Sequence, residues 1–144
     1  MATVLKKRRF TIKEYYQMAE AGILTERDRV ELLEGEVVEM MPIGVRHAGT
    51  VNRLARALWG ALRDQAVVSV QNPVRITALN SEPQPDVAVL KTRPDFYTSA
   101  HPEPEDVLLL VEVMDTTADY DRGVKAPLYA RAGIFEVWLV DLAI

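Results

Sequence analysis

Two carboxylates set beside apolar runs are the feature of this chain with the most chemical content. Asp86 follows Pro85 and opens Val87-Ala88-Val89-Leu90, while Glu112, 26 positions on, comes after Val107-Leu108-Leu109-Leu110-Val111. An isolated carboxylate in such surroundings is heavily penalised, so acids there are paired or hold a cation. Brought together by adjacent strands, the two would make a hard-oxygen site suited to a divalent metal such as Mg²⁺. With an ammonium group close by they form the minimal apparatus for metal-dependent phosphodiester hydrolysis. The acids hold the cation, which activates water, and the ammonium stabilises charge at the phosphate.

The elements that must position these groups can be read from spacing. Thr11-Ile12-Lys13-Glu14 has capping-box form and opens a short helix that Gly22 closes. Residues 29–41 alternate around Glu34-Gly35 as two strands joined by a tight turn, and Pro42 and Gly44 end that hairpin. A helix is expected over 45–64, where Val51, Leu54, Ala55, Leu58 and Leu62 form the buried stripe and Arg53, Arg56 and Arg63 fall mainly off it. Stretches 67–71 and 74–78 read as strand, interrupted at Asn72-Pro73, and 92–106 as a proline-bearing surface loop with a helical turn. The apolar strand 107–113 exits at Asp115-Thr116-Thr117. A helix should then run from Asp121 to Gly133, with Pro127 in its first turn or at a kink. Residues 135–141 read as a last core strand, and Trp59 and Trp138, among apolar neighbours, are expected in the core. This order implies an α/β fold, a central mixed sheet flanked by helices.

Length and composition set the outer limits. The 144 residues fit a single domain over 1–144, with residues 1–9 as a flexible end, and 49% hydrophobic with 26% charged residues is ordinary globular composition. No stretch approaches the roughly 20 apolar residues of a membrane span, and no apolar signal core follows Lys6-Lys7-Arg8-Arg9. The absence of cysteine rules out disulfides and thiolate metal sites, and a cytoplasmic location follows by default. A net charge of −4 argues against a tight, sequence-independent DNA binder; nucleic-acid contact must be local or depend on a bound cation.

In the nuclease pattern PD-(D/E)XK the lysine lies two residues after the second acid, a place taken here by Met114. The wider context is more specific. The chain resembles the Uma-type restriction endonuclease family, a bacterial branch of the PD-(D/E)XK superfamily, from about Phe10 onwards. The matching segments are Val30-Glu31-Leu32-Leu33-Glu34-Gly35-Glu36-Val37, His47, Glu82-Pro83-Gln84-Pro85-Asp86, Leu110-Val111-Glu112-Val113, Tyr120-Asp121-Arg122-Gly123-Val124-Lys125, Tyr129-Ala130-Arg131-Ala132-Gly133-Ile134 and Val137-Trp138-Leu139-Val140-Asp141. The resemblance implies a restriction-endonuclease-like core, with Asp86 and Glu112 as metal ligands and the Val113 carbonyl as a third. It also implies that the active lysine has moved onto the following helix, as Lys125. The chain departs from the family at Met114 and in stopping just after Asp141, where relatives continue with more strands and a helix, so the family's C-terminal part is expected to be absent.

Each residue also has a plainer reading. Asp86 is alternatively a turn or strand-edge residue beside Pro85, and Glu112 a buried acid paired with a basic side chain. Lys125 stands four residues after Asp121, the spacing of a helix-surface ion pair. His47 shares the inward face with Val51, Leu54 and Leu58 near a helix start, as a contact to phosphate or to water at the metal, or as a packing residue. Glu31 either approaches the metal or is one polar member of an alternating strand, and Glu34 looks solvated.

The expectation is a metal-dependent endonuclease-like hydrolase acting on DNA with Mg²⁺ or Mn²⁺, its catalytic set Asp86, Glu112, Lys125, His47 and Glu31. The alternative is a catalytically inactive nuclease-fold module for DNA binding or assembly; hydrolysis of another phosphodiester, such as RNA, is a third possibility. A homodimer is expected as well, because the strand over 135–141 would lie at or near an open sheet edge.

Overall fold

The computed structural model describes residues 3–115 and 120–143. At the amino end the capping box forms as its residues require. Thr11 Oγ1 accepts from the Glu14 N–H at 3.1 Å and Glu14 Oε1 accepts from the Thr11 N–H at 3.0 Å, opening helix α1 (Ile12–Glu20). Strands β1 (Val30–Leu33) and β2 (Glu36–Glu39) pair antiparallel. Their turn places Glu34 at φ 47° and Gly35 at φ 80°, the left-handed pair that suits the twist of a two-residue hairpin. The strap before α1 crosses this turn closely: Phe10 N–H donates to the Gly35 carbonyl at 2.8 Å.

Helix α2 (Val45–Leu62) presents Val51, Leu54, Leu58 and Leu62 to the sheet, as the spacing predicts. Strands β3 (Val67–Val70), β4 (Val87–Leu90) and β5 (Val107–Met114) follow, then helix α3 (Ala126–Arg131) and strand β6 (Val137–Asp141). The four form one sheet in the order β3-β4-β5-β6, antiparallel except for the β5–β6 pair, which is parallel and joined through α3. Seven of the eight β5 residues are buried, which is why that stretch reads as a continuous apolar run.

Pleating divides the core in two. Val87, Val89, Leu109, Val111 and Val113 pack against α2, while Ala88, Leu90 and Leu110 meet Leu128 and Tyr129 of α3 on the other face. The architecture is therefore a mixed sheet between helices, in keeping with a restriction-endonuclease-like core. Truncating a fully buried leucine such as Leu110 to alanine would cost about 2–5 kcal/mol.

Three expectations need correction or a boundary. Residues 74–78 are not a strand. Val74 N–H reaches the Pro83 carbonyl, Arg75 N–H the Pro102 carbonyl and Ile76 N–H the Ser81 carbonyl, before a 3₁₀ turn over Thr77–Leu79. Val74 and Ile76 are buried, but Pro83 has no N–H to return, so no ladder forms. Trp59 is 68% exposed and Trp138 41% exposed, so neither is a core residue. Trp59 lies on the outward face of α2, and Trp138 on the edge strand β6 has a neighbour on one side only among the described residues. The exit expected at Thr116-Thr117 lies outside the described residues.

Candidate active site

β4 pairs with β5 up to Val87↔Val111, so the next residue towards the amino end, Asp86, stands opposite Glu112. Beyond that pair the strands part and the Val113 N–H loses a ladder partner. Asp86 Oδ2 takes it instead, at 2.7 Å. Asp86 Oδ1 lies 3.1 Å from Nε2 of His47 in the first turn of α2, so the acid is held from two sides. It is not a bystander at a turn.

Glu112 shares the α3 side of β5 with Leu110 and is 3% exposed. Its Oε1 accepts from the Tyr129 hydroxyl at 2.6 Å and from Lys125 Nζ at 2.8 Å. Every contact it makes among the described residues falls on this oxygen, leaving Oε2 without a partner. Lys125 sits in a π-helical turn, Asp121–Lys125, that leads into α3 with Pro127 in the first α-helical turn. The side chain is 3% exposed and also bridges to Glu31 Oε1 at 2.9 Å. Lys125 is thus no helix-surface residue; the side chain of Asp121, its alternative partner, lies outside what is described. Glu31 projects from β1, 4% exposed, and its Oε1 also accepts from the Gln84 N–H at 3.4 Å. Glu34 pairs with Arg131 at 2.6 Å, away from these groups.

Electrostatics follow from burial. Burial pushes the Glu112 carboxyl up to about 8; Lys125 pulls the other way and the charge of Asp86 pushes with it. For Lys125, burial disfavours the ammonium, but Glu112, Tyr129 and Glu31 outweigh it and hold its pKa well above the ordinary value. Burial, with Glu112 beside it, also keeps Tyr129 a phenol and so a donor. His47 Nδ1 is buried without a hydrogen-bond partner among the described residues.

Glu31, His47, Asp86, Glu112, Val113 and Lys125 all line one cavity of about 670 Å³. The structure therefore brings together the expected catalytic and ligand set, Glu31, His47, Asp86, Glu112, Val113 and Lys125. Gln84, Asp115 and Tyr120 line the same cavity, and Tyr129 reaches the site from behind Glu112. Sequence reasoning missed Tyr129, although its place four residues after Lys125 on one helix was a signal.

The donor set fits a hard divalent cation. Glu31 and Lys125 offset one another, while Asp86 and Glu112 bring carboxylate oxygens to one cavity, the hard donors that such an ion takes. Asp86 retains a lone pair on each oxygen, Glu112 Oε2 has no partner, and the Val113 carbonyl shares the strand edge of its N–H. Among the described residues no group of three or more His, Cys, Asp or Glu side chains is placed to hold a metal ion. Two carboxylates and a carbonyl are a partial shell, the kind that Mg²⁺ completes with its own waters.

The model of the Uma2 family, described as "Putative restriction endonuclease", matches residues 12–143, nearly the whole chain. The chain belongs to the Uma2 family. The match covers every residue of the site, so the cavity is shared by the segments that carry the family likeness. Membership of Uma2 supports a nuclease-type hydrolase in general terms. No curated protein matches the chain. Among the described residues no helix is long and apolar enough to cross a membrane.

Proposed function

We propose that this Uma2 chain is a metal-dependent endonuclease that hydrolyses phosphodiester bonds of DNA, with Asp86, Glu112 and the Val113 carbonyl as ligands of Mg²⁺ or Mn²⁺. The observation that carries the reading is the convergence of Glu31, Asp86, Glu112 and Lys125 on one cavity. When bound, the ion supplies positive charge to the phosphoryl oxygens and makes water a better nucleophile at neutral pH.

The chain's own residues do the rest. Val113 N–H and His47 fix the plane of Asp86, and Tyr129 fixes one oxygen of Glu112 so that the other faces the cavity. The Lys125 ammonium, kept charged by Glu31 and Glu112, lies beside the carboxylates, where it offsets charge gathering on the phosphate as a water oxygen bonds to phosphorus and the P–O bond to the leaving oxygen breaks. The attacking water gives up one proton and the leaving oxygen takes one up. Glu31 acts through Lys125 and is a positioning residue.

Purified protein incubated with labelled duplex, single-stranded DNA and RNA tests this, with Mg²⁺, with Mn²⁺ and with chelator. Cleavage of duplex that needs the metal and disappears in Asp86→Ala is expected. No metal-dependent cleavage, or equal cleavage by Asp86→Ala, would overturn the reading. The same proposal includes a homodimer. Strand β6 is one of the two sheet edges among the described residues, and Phe135 and Trp138 are exposed on or beside it, so a second copy can cover apolar surface there. A monomer mass in light scattering at micromolar concentration would remove that part.

A further inference from the structure

Although the whole chain is acidic, α2 is not. From Val45 through Arg63 there are four arginines and no aspartate or glutamate, against a net charge of −4 for the protein. Arg46, at the start, is turned to Asp115 at 3.7 Å. Arg53, Arg56 and Arg63 are exposed, and their side chains make no ion pair or hydrogen bond among the described residues. At about 100° per residue Arg53 and Arg56 fall on the side of the helix opposite Val51, Leu54, Leu58 and Leu62, and Arg63 caps its carboxyl end at φ 48°.

A solvated helix face normally mixes both signs and uses them in pairs along the helix. Along α2 this face carries one sign only, and carries it unpaired; the exposed Asp64 follows Arg63 in the 3₁₀ turn beyond the helix. Trp59 stands between Arg56 and Arg63, 68% exposed, presenting a flat ring and an N–H donor. Gly49, Ala57 and Gly60 share the face and are too small to screen it; a Cβ built at Gly49 or Gly60 meets nothing within 4 Å. From Arg53 to Arg63 the stripe runs about 15 Å along the helix, the axial length of about four steps of a nucleic-acid strand.

We propose that the outer face of α2, with Arg53, Arg56 and Trp59, and the capping residue Arg63 beyond it form a docking surface for the sugar–phosphate backbone of duplex DNA. The ligand is recognised by charge: a row of phosphates against a row of guanidiniums, with the indole packing on sugar. This is the local contact that an acidic chain requires to hold a polyanion. The choice of DNA as occupant rests on the nuclease reading, but the binding itself needs neither metal nor cleavage. The two therefore fail separately.

Fluorescence anisotropy of a labelled duplex, with the full chain and chelator present, measures the contact. The triple variant Arg53→Gln/Arg56→Gln/Arg63→Gln is compared with a charge-matched control, Lys13→Gln/Arg27→Gln/Lys91→Gln, drawn from exposed positions elsewhere. The α2 triple should lose about tenfold or more in affinity at low salt, and its slope of log affinity against log salt should fall in magnitude by about 2–3. The control should move neither by more than about a third as much. Equal losses in both triples would mean that net charge alone is sensed, and would overturn the proposal. So would an unchanged α2 triple, a wild-type chain that binds no duplex, or one that prefers anionic vesicles. Should the triple melt early, Arg56→Gln alone carries the test, with a slope change of about 0.9. Quenching of tryptophan fluorescence on binding, lost in Trp59→Phe, is a second readout.

Discussion

The Tyr129 hydroxyl lies 2.6 Å from Glu112 Oε1, the same oxygen that receives Lys125 Nζ at 2.8 Å. One carboxylate oxygen is thereby saturated from the α3 side while the other is left to the cavity. Tyr129→Phe keeps the buried ring and removes only this donor. Mn²⁺ affinity measured by calorimetry should fall by about tenfold or more, with the fold intact by circular dichroism. An unchanged affinity would mean that Glu112 needs no outer support.

Lys125 is the only cation placed between Glu31 and Glu112 among the described residues. Lys125→Met therefore strands two buried acids, a loss of about 3–5 kcal/mol in urea unfolding. Adding Glu31→Gln should restore part of that stability without restoring DNA cleavage. If the double variant is as unstable as the single, the ammonium is not what compensates Glu31.

A pH effect is expected at a hydrogen bond outside the cavity. The Tyr16 hydroxyl donates to Glu82 Oε2 at 2.6 Å, and burial, with Glu82 beside it, pushes the phenol from 10.0 up to about 12. A pKa raised in the folded state favours the protonated form. Its contribution is complete below pH 10 and disappears as pH rises through 12. The stability gap between wild type and Tyr16→Phe, read from urea midpoints, should be full at pH 9 and shrink steadily above pH 10. A gap that stays constant across that window refutes the assignment.

Gly35 combines φ +80° with a strap of chain pressed against it: a Cβ there would lie 2.8 Å from Arg9 Cβ and 3.0 Å from the Phe10 carbonyl oxygen. Gly35→Ala should cost about 1–3 kcal/mol, visible as a lower melting temperature. The cavity lies elsewhere, so metal affinity of the folded variant should hold.

How much was legible in the sequence depended on whether a local rule decided the matter. The apolar run before Glu112 and the Pro85-Asp86 start of β4 reported burial directly, and two neighbouring strands then had few ways to pair. Lys125 was legible only through family likeness, because the turn that carries it is π-helical and spacing rules assume an α-helix. Residues 74–78 misled because burial was mistaken for pairing: Val74 and Ile76 are as buried as strand residues, yet their partners include a proline carbonyl. The tryptophans misled in the opposite way. Apolar neighbours in sequence say little about a residue on a helix, where the face is set by position around the axis, and Trp59 points outward.

Met114 is fully buried in β5, at the position where the compact nuclease pattern would carry the lysine. Handing the ammonium to the turn before α3 released that strand position for packing. It also mounted the two halves of the charge system on separate supports, the carboxylates of Asp86 and Glu112 on the sheet and the amine on a helical segment beside it. A small rigid-body slide of that segment would change the gap between them without breaking a single strand hydrogen bond, so this centre has an adjustable spacing that a one-strand arrangement lacks.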